Sequence, residues 1–334
     1  LEAVGHARRA AVALREAGLD VAIFDGVGEN PTTEHVAAGV AAARDHQAAL
    51  LVAVGGGSSM DCAKGINFLV TNGGRMEDYW GTGKATRPML PSIGVPTTAG
   101  TGSEAQSYAL ISQADTHRKM ACGDPKARFR TVLLDPQLLA TVPSKVAAVT
   151  AYDALSHAVE SFVTRRRNPL AQLYAAEAWR LLSGAFEDFL RDRGQPAPRR
   201  AMLLGAHLSG AAIEQSMLGA AHACANPLTA RFGVVHGAAV ALMLPSVVRF
   251  NGQDDGVGAW YAELQNGAGN TETLAERLEV LRAAAGLPAT LATAGVDPAA
   301  IPQLAREAAE QWTAGFNPRA VGVEDFAWLY RSVA

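Results

Sequence analysis

Asp153 and His157 stand four residues apart in the stretch Tyr152-Asp153-Ala154-Leu155-Ser156-His157-Ala158-Val159-Glu160. In a helix that spacing sets both side chains on one face. Such a pair on its own is more often a surface hydrogen bond than a ligand set. Here Ala, Leu and Val flank it, which points to burial, and a buried charge without a partner is costly. A divalent cation removes that cost. Two more imidazoles occur among small apolar residues: His222 in Gly219-Ala220-Ala221-His222-Ala223 and His236 in Val234-Val235-His236-Gly237-Ala238. Singly, each reads as a hydrogen-bonded core histidine. Together, one carboxylate and three imidazoles suit Fe(II) or Zn(II), with a position left open for substrate. The remaining histidines, His6, His35, His46, His117 and His207, lie in more polar or less patterned contexts and receive no role.

A second kind of chemistry is carried by small residues. Val54-Gly55-Gly56-Gly57-Ser58-Ser59-Met60-Asp61 follows an apolar run and opens a helical pattern. Glycines let a backbone approach a phosphate, and a helix start offers unpaired N–H groups with a partial positive charge. A pyrophosphate fits there, although Met60 stands where the dinucleotide fingerprint would place its last glycine. Pro96-Thr97-Thr98-Ala99-Gly100-Thr101-Gly102-Ser103-Glu104 is a second such loop after a strand. Two loops at the ends of adjacent strands make a cofactor crevice. Asp25, at the end of Val21-Ala22-Ile23-Phe24, is placed to hold two ribose hydroxyls and to repel a 2′-phosphate, or else simply forms an Asp-Gly turn.

The elements that must position these residues change character along the chain. Val4, Ala7, Ala11, Leu14 and Leu19 predict a helix over 2–18 that stops at Gly18. Val21–Phe24 reads as a short strand, and Asn30-Pro31-Thr32-Thr33 as a turn with a helix cap. A helix at 37–45, strands at 50–54 and 92–95, a helix at 61–70 and strand-rich patches at 108–111 and 131–134 complete an alternation typical of a parallel sheet covered by helices. From about Lys145 helical patterns follow one another, at 145–164, 168–190, 198–218 and 237–250, then in shorter pieces, with no strand among them. Residues 251–271 read as loop plus a short helix. The expected fold class is therefore an α/β Rossmann-like domain over 1–143 and an all-helical domain over 144–334, the boundary falling near Val142-Pro143-Ser144.

Bulk properties exclude several functions. Apolar residues are 49% and charged residues 18% of the 334, enough for packed cores and against disorder. Basic and acidic residues number 29 and 32, too balanced for a nucleic-acid or membrane-surface binder. Arg165-Arg166-Arg167 and Arg199-Arg200 are short and read as solvated helix ends. Cys62, Cys122 and Cys224 are too few and scattered for a disulfide framework and fit a reducing compartment. No apolar stretch approaches the ~18 residues that span a bilayer. A cytoplasmic protein is expected, and the start at Leu1 inside a helical pattern leads to the expectation of a missing upstream segment.

Four motifs now resemble one known family. Gly-Gly-Gly-Ser-x-x-Asp-x-x-Lys at 55–64, Pro-Thr-Thr-Ala-Gly-Thr-Gly-Ser-Glu at 96–104, Asp-Ala-Leu-x-His-Ala-x-Glu at 153–160 and the pair His222 and His236-Gly237 occur in the order found in the iron-containing, group III alcohol dehydrogenases. The resemblance covers nearly the whole chain. It implies a dehydroquinate synthase-like fold with the site in the cleft between two domains, and hydride transfer between NAD(H) and a small alcohol or aldehyde. It implies Asp153, His157, His222 and His236 as ligands of a divalent metal, Fe(II) before Zn(II). Gly56, Gly57 and Ser58 correspond to the pyrophosphate loop, and Thr97, Thr98 and Ser103 to contacts along the nucleotide and nicotinamide. Gly55, Asp61, Thr101 and Gly102 complete the cofactor set from the same two motifs. Asp25 corresponds to the carboxylate favouring NAD over NADP, Asn30 and Pro31 to a segment near the adenosine, and Lys119 to a lysine near the nicotinamide. A homodimer or larger assembly is also implied.

Two departures stand out. Where the family often carries a second histidine, four residues after the third ligand, this chain has Asn226, which would orient a water or substrate rather than relay a proton. The family's first strand, ahead of the 2–18 helix, has no counterpart. The alternatives on the same fold are a maleylacetate reductase, a hydroxyacid–oxoacid transhydrogenase or a glycerol-type dehydrogenase. From another class, a nucleotide-binding sensor that has lost catalysis is favoured only by Asn226.

Overall fold

The computed structural model describes residues 5–116 and 118–334. Two compact units emerge: residues 1–98 with 102–142, and residues 99–101 with 143–334. His117 and the predicted helix positions before Gly5, Val4 included, lie outside the described residues.

In the first unit α1 (His6–Glu16) and α2 (Thr33–Asp45) precede β1 (Leu51–Gly55) and α3 (Gly57–Asn72). Short β2 (Gly81–Thr82), β3 (Ser92–Pro96), β4 (Tyr108–Ser112), β5 (Lys119–Gly123) and β6 (Thr131–Val132) follow. Strands β1, β3 and β6 form one parallel sheet in the order β1-β3-β6, with Leu51 opposite Ser92 and Ile93 opposite Thr131. The second sheet, β2-β5-β4, is mixed: β2 runs parallel to β5, and β5 antiparallel to β4. The apolar faces of α2 and α3 meet this second sheet in a core built on Val36, Val40, Ile66, Phe68, Ile111 and Met120. Helix α2 starts where Thr32 accepts from the His35 N–H while the His35 ring accepts in return from the Thr32 N–H. The capping role of His35 was not foreseen.

The expected strand at Val21–Phe24 does not form. A strand needs a hydrogen-bonding neighbour, and among the described residues this segment has none in either sheet. Arg15 takes the Val21 carbonyl and His46 that of the preceding Asp20, while Phe24 and Val27 still pack on the core.

The second unit contains helices and no strand among the described residues. They are α4 (Ser144–Val163), α5 (Pro169–Arg191), α6 (Pro196–Gln215), α7 (Ala220–Phe232), α8 (His236–Asn251), α9 (Asp255–Leu264), α10 (Thr271–Ala284), α11 (Ile301–Ala309) and α12 (Val323–Arg331). Helix α4 is central: every residue from Ala151 to Val163 is buried, and it packs against α5, α6, α8 and α9. A helix without a solvated face belongs in a core. Polar residues start its neighbours, with Asn168 capping α5 through the Ala171 N–H and Asp254 capping α9 through the Val257 N–H. The expected pattern at 198–218 stops at Gln215, and α7 is an additional helix. Its Gly-Ala-Ala start and internal Pro227 disguise the helical period. Among the described residues no helix is long and apolar enough to cross a membrane.

Candidate metal centre and nucleotide loops

Three helices of the second unit deliver the four predicted metal-site residues. Asp153 and His157 come from the middle of α4, His222 from the first turn of α7, and His236 opens α8. Their ring nitrogens converge on one atom. Asp153 Oδ1 lies 3.4 Å from His157 Nε2, 3.7 Å from His222 Nε2 and 3.9 Å from His236 Nε2. Donor atoms of Asp153, His157 and His222 all lie within 4.8 Å of one another, and these three residues are buried. The His236 ring is 35% exposed and closes the more open side. The His157 and His222 rings stack with centroids 5.0 Å apart, and those of His222 and His236 lie 5.3 Å apart.

Electrostatics make this cluster unusual for a core. Asp153 Oδ1 and His222 Nε2 are buried and have no hydrogen-bond partner. Left so, each costs roughly 1–3 kcal/mol or more. Burial pushes the Asp153 carboxyl up, but the facing His157, His222 and His236 outweigh it and hold it well below the usual carboxylate range. Burial lowers His157. Burial would lower His222 too, yet the Glu160 and Asp153 carboxylates prevail and push it up to about 9. The donor set fits a first-row divalent cation. Four ligands in a tetrahedron with bonds of about 2.1 Å stand about 3.4 Å from each other.

In the first unit the two small-residue loops lie side by side. Gly55 is opposite Pro96 across the β1–β3 ladder, and the Thr97 N–H donates to the Gly55 carbonyl at 2.9 Å. A side chain on Gly56 would press on the Thr98 hydroxyl, at 3.2 Å. Helix α3 begins at Gly57 with no side chain capping it, so Gly57, Ser58 and Ser59 open it with first-turn N–H groups outside the helical ladder. Asp61 and Ser103 join the loops, the Ser103 hydroxyl donating to Asp61 Oδ1 at 2.5 Å. Gly102 takes a left-handed turn, φ +61°, just before Ser103. Thr101 falls in the segment grouped with the second unit. Asp25 is exposed. Pro31 accepts from the Ser112 N–H at 2.9 Å, fixing the Asn30-Pro31 segment beside β4, and Lys119 Nζ donates to Asn30 Oδ1 at 3.4 Å.

Sequence reasoning assigned no role to three participants, two of which close the motifs at 55–64 and 153–160. Lys64, 1% exposed, donates to the Ser103 carbonyl and hydroxyl and to the Tyr108 carbonyl. Glu160 sits behind His222, and Asn317 accepts from the Ala220 N–H at the start of α7. Signals existed for two of these, since Lys64 and Glu160 are charged residues inside apolar helical runs. Asn226 donates to Gln311 Oε1 at 3.0 Å.

Models of two adjoining families match the chain: iron-containing alcohol dehydrogenase over residues 1–136 and its C-terminal counterpart over 147–334. The chain belongs to the iron-containing alcohol dehydrogenase family. It is 33% identical to the NAD-dependent methanol dehydrogenase of Bacillus methanolicus, covering 99% of this chain and 89% of that protein. The lactaldehyde reductase of Escherichia coli is 32% identical, covering 95% of this chain and 85% of its own length. A solved 1,3-propanediol oxidoreductase superposes with a TM-score of 0.92 at 32% identity, covering 98% of this chain and 88% of that one. Membership makes the chain an oxidoreductase and agrees with the expected class, an α/β unit followed by an all-helical one.

Proposed function

We propose that this protein interconverts a small alcohol and its aldehyde with NAD(H), using a divalent cation held by Asp153, His157, His222 and His236. The observation that carries this reading is the buried, unpartnered Asp153 Oδ1 facing three imidazole Nε2 atoms. A cation bound there supplies Lewis-acid polarisation of a substrate oxygen, while the nicotinamide gives or takes hydride. Fe(II) is favoured over Zn(II) by the family to which the chain belongs, for the donor set itself suits both. Short primary alcohols and small aldehydes are the substrate class, in keeping with methanol, propanediol and lactaldehyde in the names of similar proteins.

The chain's own residues divide the remaining work. First-turn N–H groups of α3 at Gly57 and Ser58 face the end of β1, where a pyrophosphate finds donors and a favourable dipole. Gly55 and Gly56 keep that approach clear of side chains. Thr97, Thr98, Thr101, Gly102 and Ser103 line the second loop for the nucleotide and nicotinamide, with Asp61 bracing Ser103. Asp25 binds the ribose hydroxyls and disfavours a 2′-phosphate. Lys119, tethered to Asn30, and the Asn30-Pro31 segment are assigned together to the dinucleotide. An amide neither gives nor takes a proton, so Asn226 orients and the proton leaves through water and a ribose hydroxyl.

The test is reconstitution. Chelator-treated protein is loaded anaerobically with Fe(II) or Zn(II), and NADH absorbance is followed across short alcohols and aldehydes. Turnover should appear only with the cation and vanish in Asp153→Asn. Undiminished turnover in metal-free protein refutes the reading.

A further inference from the structure

Glu160 is a second buried carboxylate on α4, 4% exposed, three residues beyond His157 and seven beyond Asp153. That spacing places it on the same helix face as the centre. A carboxylate taken out of water must be paid for with donors. Glu160 finds two, both at the start of α7. Its Oε1 accepts the Ala221 N–H at 2.7 Å, and its Oε2 lies 2.5 Å from His222 Nδ1.

The chemistry of this contact has one sense. An ionised carboxylate only accepts, so Nδ1 of His222 carries the hydrogen. In the neutral ring Nε2 then keeps its lone pair, and Nε2 is the buried, unpartnered atom 3.7 Å from Asp153 Oδ1. His157 has no carboxylate bonded behind its ring; the Gly100 backbone acts on it instead. Nor is Glu160 needed merely to cap α7. The neighbouring Ala220 N–H is satisfied by Asn317, whose amide is itself locked to Asn251 by bonds of 2.7 and 3.1 Å. Gly219 shows how closely the turn rests on both supports. A Cβ there would stand 3.1 Å from Glu160 Oε1 and 3.0 Å from Asn317 Oδ1.

We propose that Glu160 is a positioning residue: its two oxygens hold the Ala221 N–H and the His222 Nδ1–H, fixing the tautomer and orientation in which Nε2 faces the cation. This rests on the reading of Asp153, His157, His222 and His236 as a cation site. It adds a charge argument. Two buried carboxylates, Asp153 and Glu160, balance one divalent cation and leave all three rings free to bind as neutral imidazoles. Carboxylates behind metal-bound histidines commonly contribute 10–100-fold in affinity.

The experiment is competition of Zn(II) or Co(II) between a chromophoric chelator and the full chain, at one pH, with the visible spectrum of the Co(II) form recorded alongside. Glu160→Gln offers one acceptor oxygen where the native residue has two. One of the two hydrogens is then orphaned, and an amide NH2 facing Nδ1 drives the proton to Nε2. Affinity should fall about 10–100-fold and the Co(II) bands should change. Asn317→Ala removes support from Ala220 without touching His222. It should lower the thermal midpoint and leave affinity within about threefold, well short of that range. Glu160→Asp keeps the charge but withdraws it by one methylene. It should fall between the wild type and Glu160→Gln, and it carries the test if Glu160→Gln does not fold. Wild-type affinity and spectrum in the Glu160 variants overturn the proposal. So does an equal loss in Asn317→Ala, which would reduce the effect to a loosened helix start. A wild-type chain that takes up no cation refutes the centre itself, a separate outcome from either of these.

Discussion

Replacing Lys64 with Met should destabilise the nucleotide-loop unit by about 3–5 kcal/mol, the usual consequence of removing one partner from a buried ion pair. The ammonium is 1% exposed and directs its three hydrogens to Ser103 O at 2.7 Å, Ser103 Oγ at 2.8 Å and Tyr108 O at 2.6 Å. Asp61 Oδ1 stands 3.5 Å away and receives the Ser103 hydroxyl. Methionine matches the length and supplies no donor. Both carbonyls lose this donor, although that of Ser103 keeps the Gln106 N–H, and Asp61 loses the cation that opposes its burial. Burial already pushes the Asp61 carboxyl up, with Lys64 as the main opposing influence, so in the variant Asp61 protonates more readily and absorbs part of the penalty. At about 2–4 °C per kcal/mol for a unit of this size, the midpoint should drop by about 6–20 °C. Scanning calorimetry reads the two units as separate transitions where they unfold independently. Asp61→Asn completes a double-mutant cycle: its cost in the Lys64→Met background should be smaller by about 0.5–3 kcal/mol. NADH binding should weaken as well, because Ser103 belongs to the second loop. A midpoint within 2 °C of wild type (about the shift from 1 kcal/mol or less), or an Asp61→Asn cost that ignores Lys64, would refute the reasoning.

Three further outcomes are expected. Gly237→Ala drives a Cβ into the Val149 carbonyl of α4, so it should cost about 1–3 kcal/mol and displace His236, read as a lower thermal midpoint and weaker Zn(II) uptake; an unchanged midpoint would show that α8 can shift freely. His222, raised to about 9, is protonated at neutral pH in the metal-free protein and must lose that proton to bind a cation, so affinity should rise with pH through 7–9 and level off above. Calorimetric titration in buffers of different ionisation enthalpy should report about one proton released per cation at pH 7, and none would contradict the assignment. Asp25→Gly should narrow the preference for NADH over NADPH in steady-state kinetics, whereas an unchanged ratio would leave Asp25 as a turn residue only.

Legibility in the sequence followed locality. The i,i+4 pair on α4 was readable because helical geometry fixes both side chains on one face, and β1 with α3 was readable because an apolar run, three glycines and a helical period succeed one another. Val21–Phe24 was misread because strand formation depends on a neighbour, and composition says nothing of whether one is present. Helix α7 was missed although it carries His222. Its period is hidden by alanines that fit any face and by Pro227, and it is recognisable mainly by what it packs on. Glu160 and Lys64 were visible as charges inside apolar helices, but their partners come from 62 and 39 residues away, distances no local pattern reports.

The centre therefore depends on close backbone approach as much as on ligand identity. Three imidazole nitrogens meet around Asp153 Oδ1 only if the start of α7, the start of α8 and the 99–101 segment all stay close to α4. At Gly100 a Cβ would stand 2.6 Å from the Thr150 Cβ and 3.1 Å from its Cα, one helical turn before Asp153. At Gly237, the residue after His236, it would meet the Val149 carbonyl. Backbone cannot yield as a side-chain tip can, so larger residues at these two sites force whole segments outward. An outward shift of about 1 Å would open donor separations of 3.4–3.9 Å beyond what one cation can bridge with bonds near 2.1 Å. Glycines that supply no ligand are thus as necessary to the site as the histidines, and a variant that retains Asp153, His157, His222 and His236 but fills Gly100 should fold less stably and bind Zn(II) more weakly.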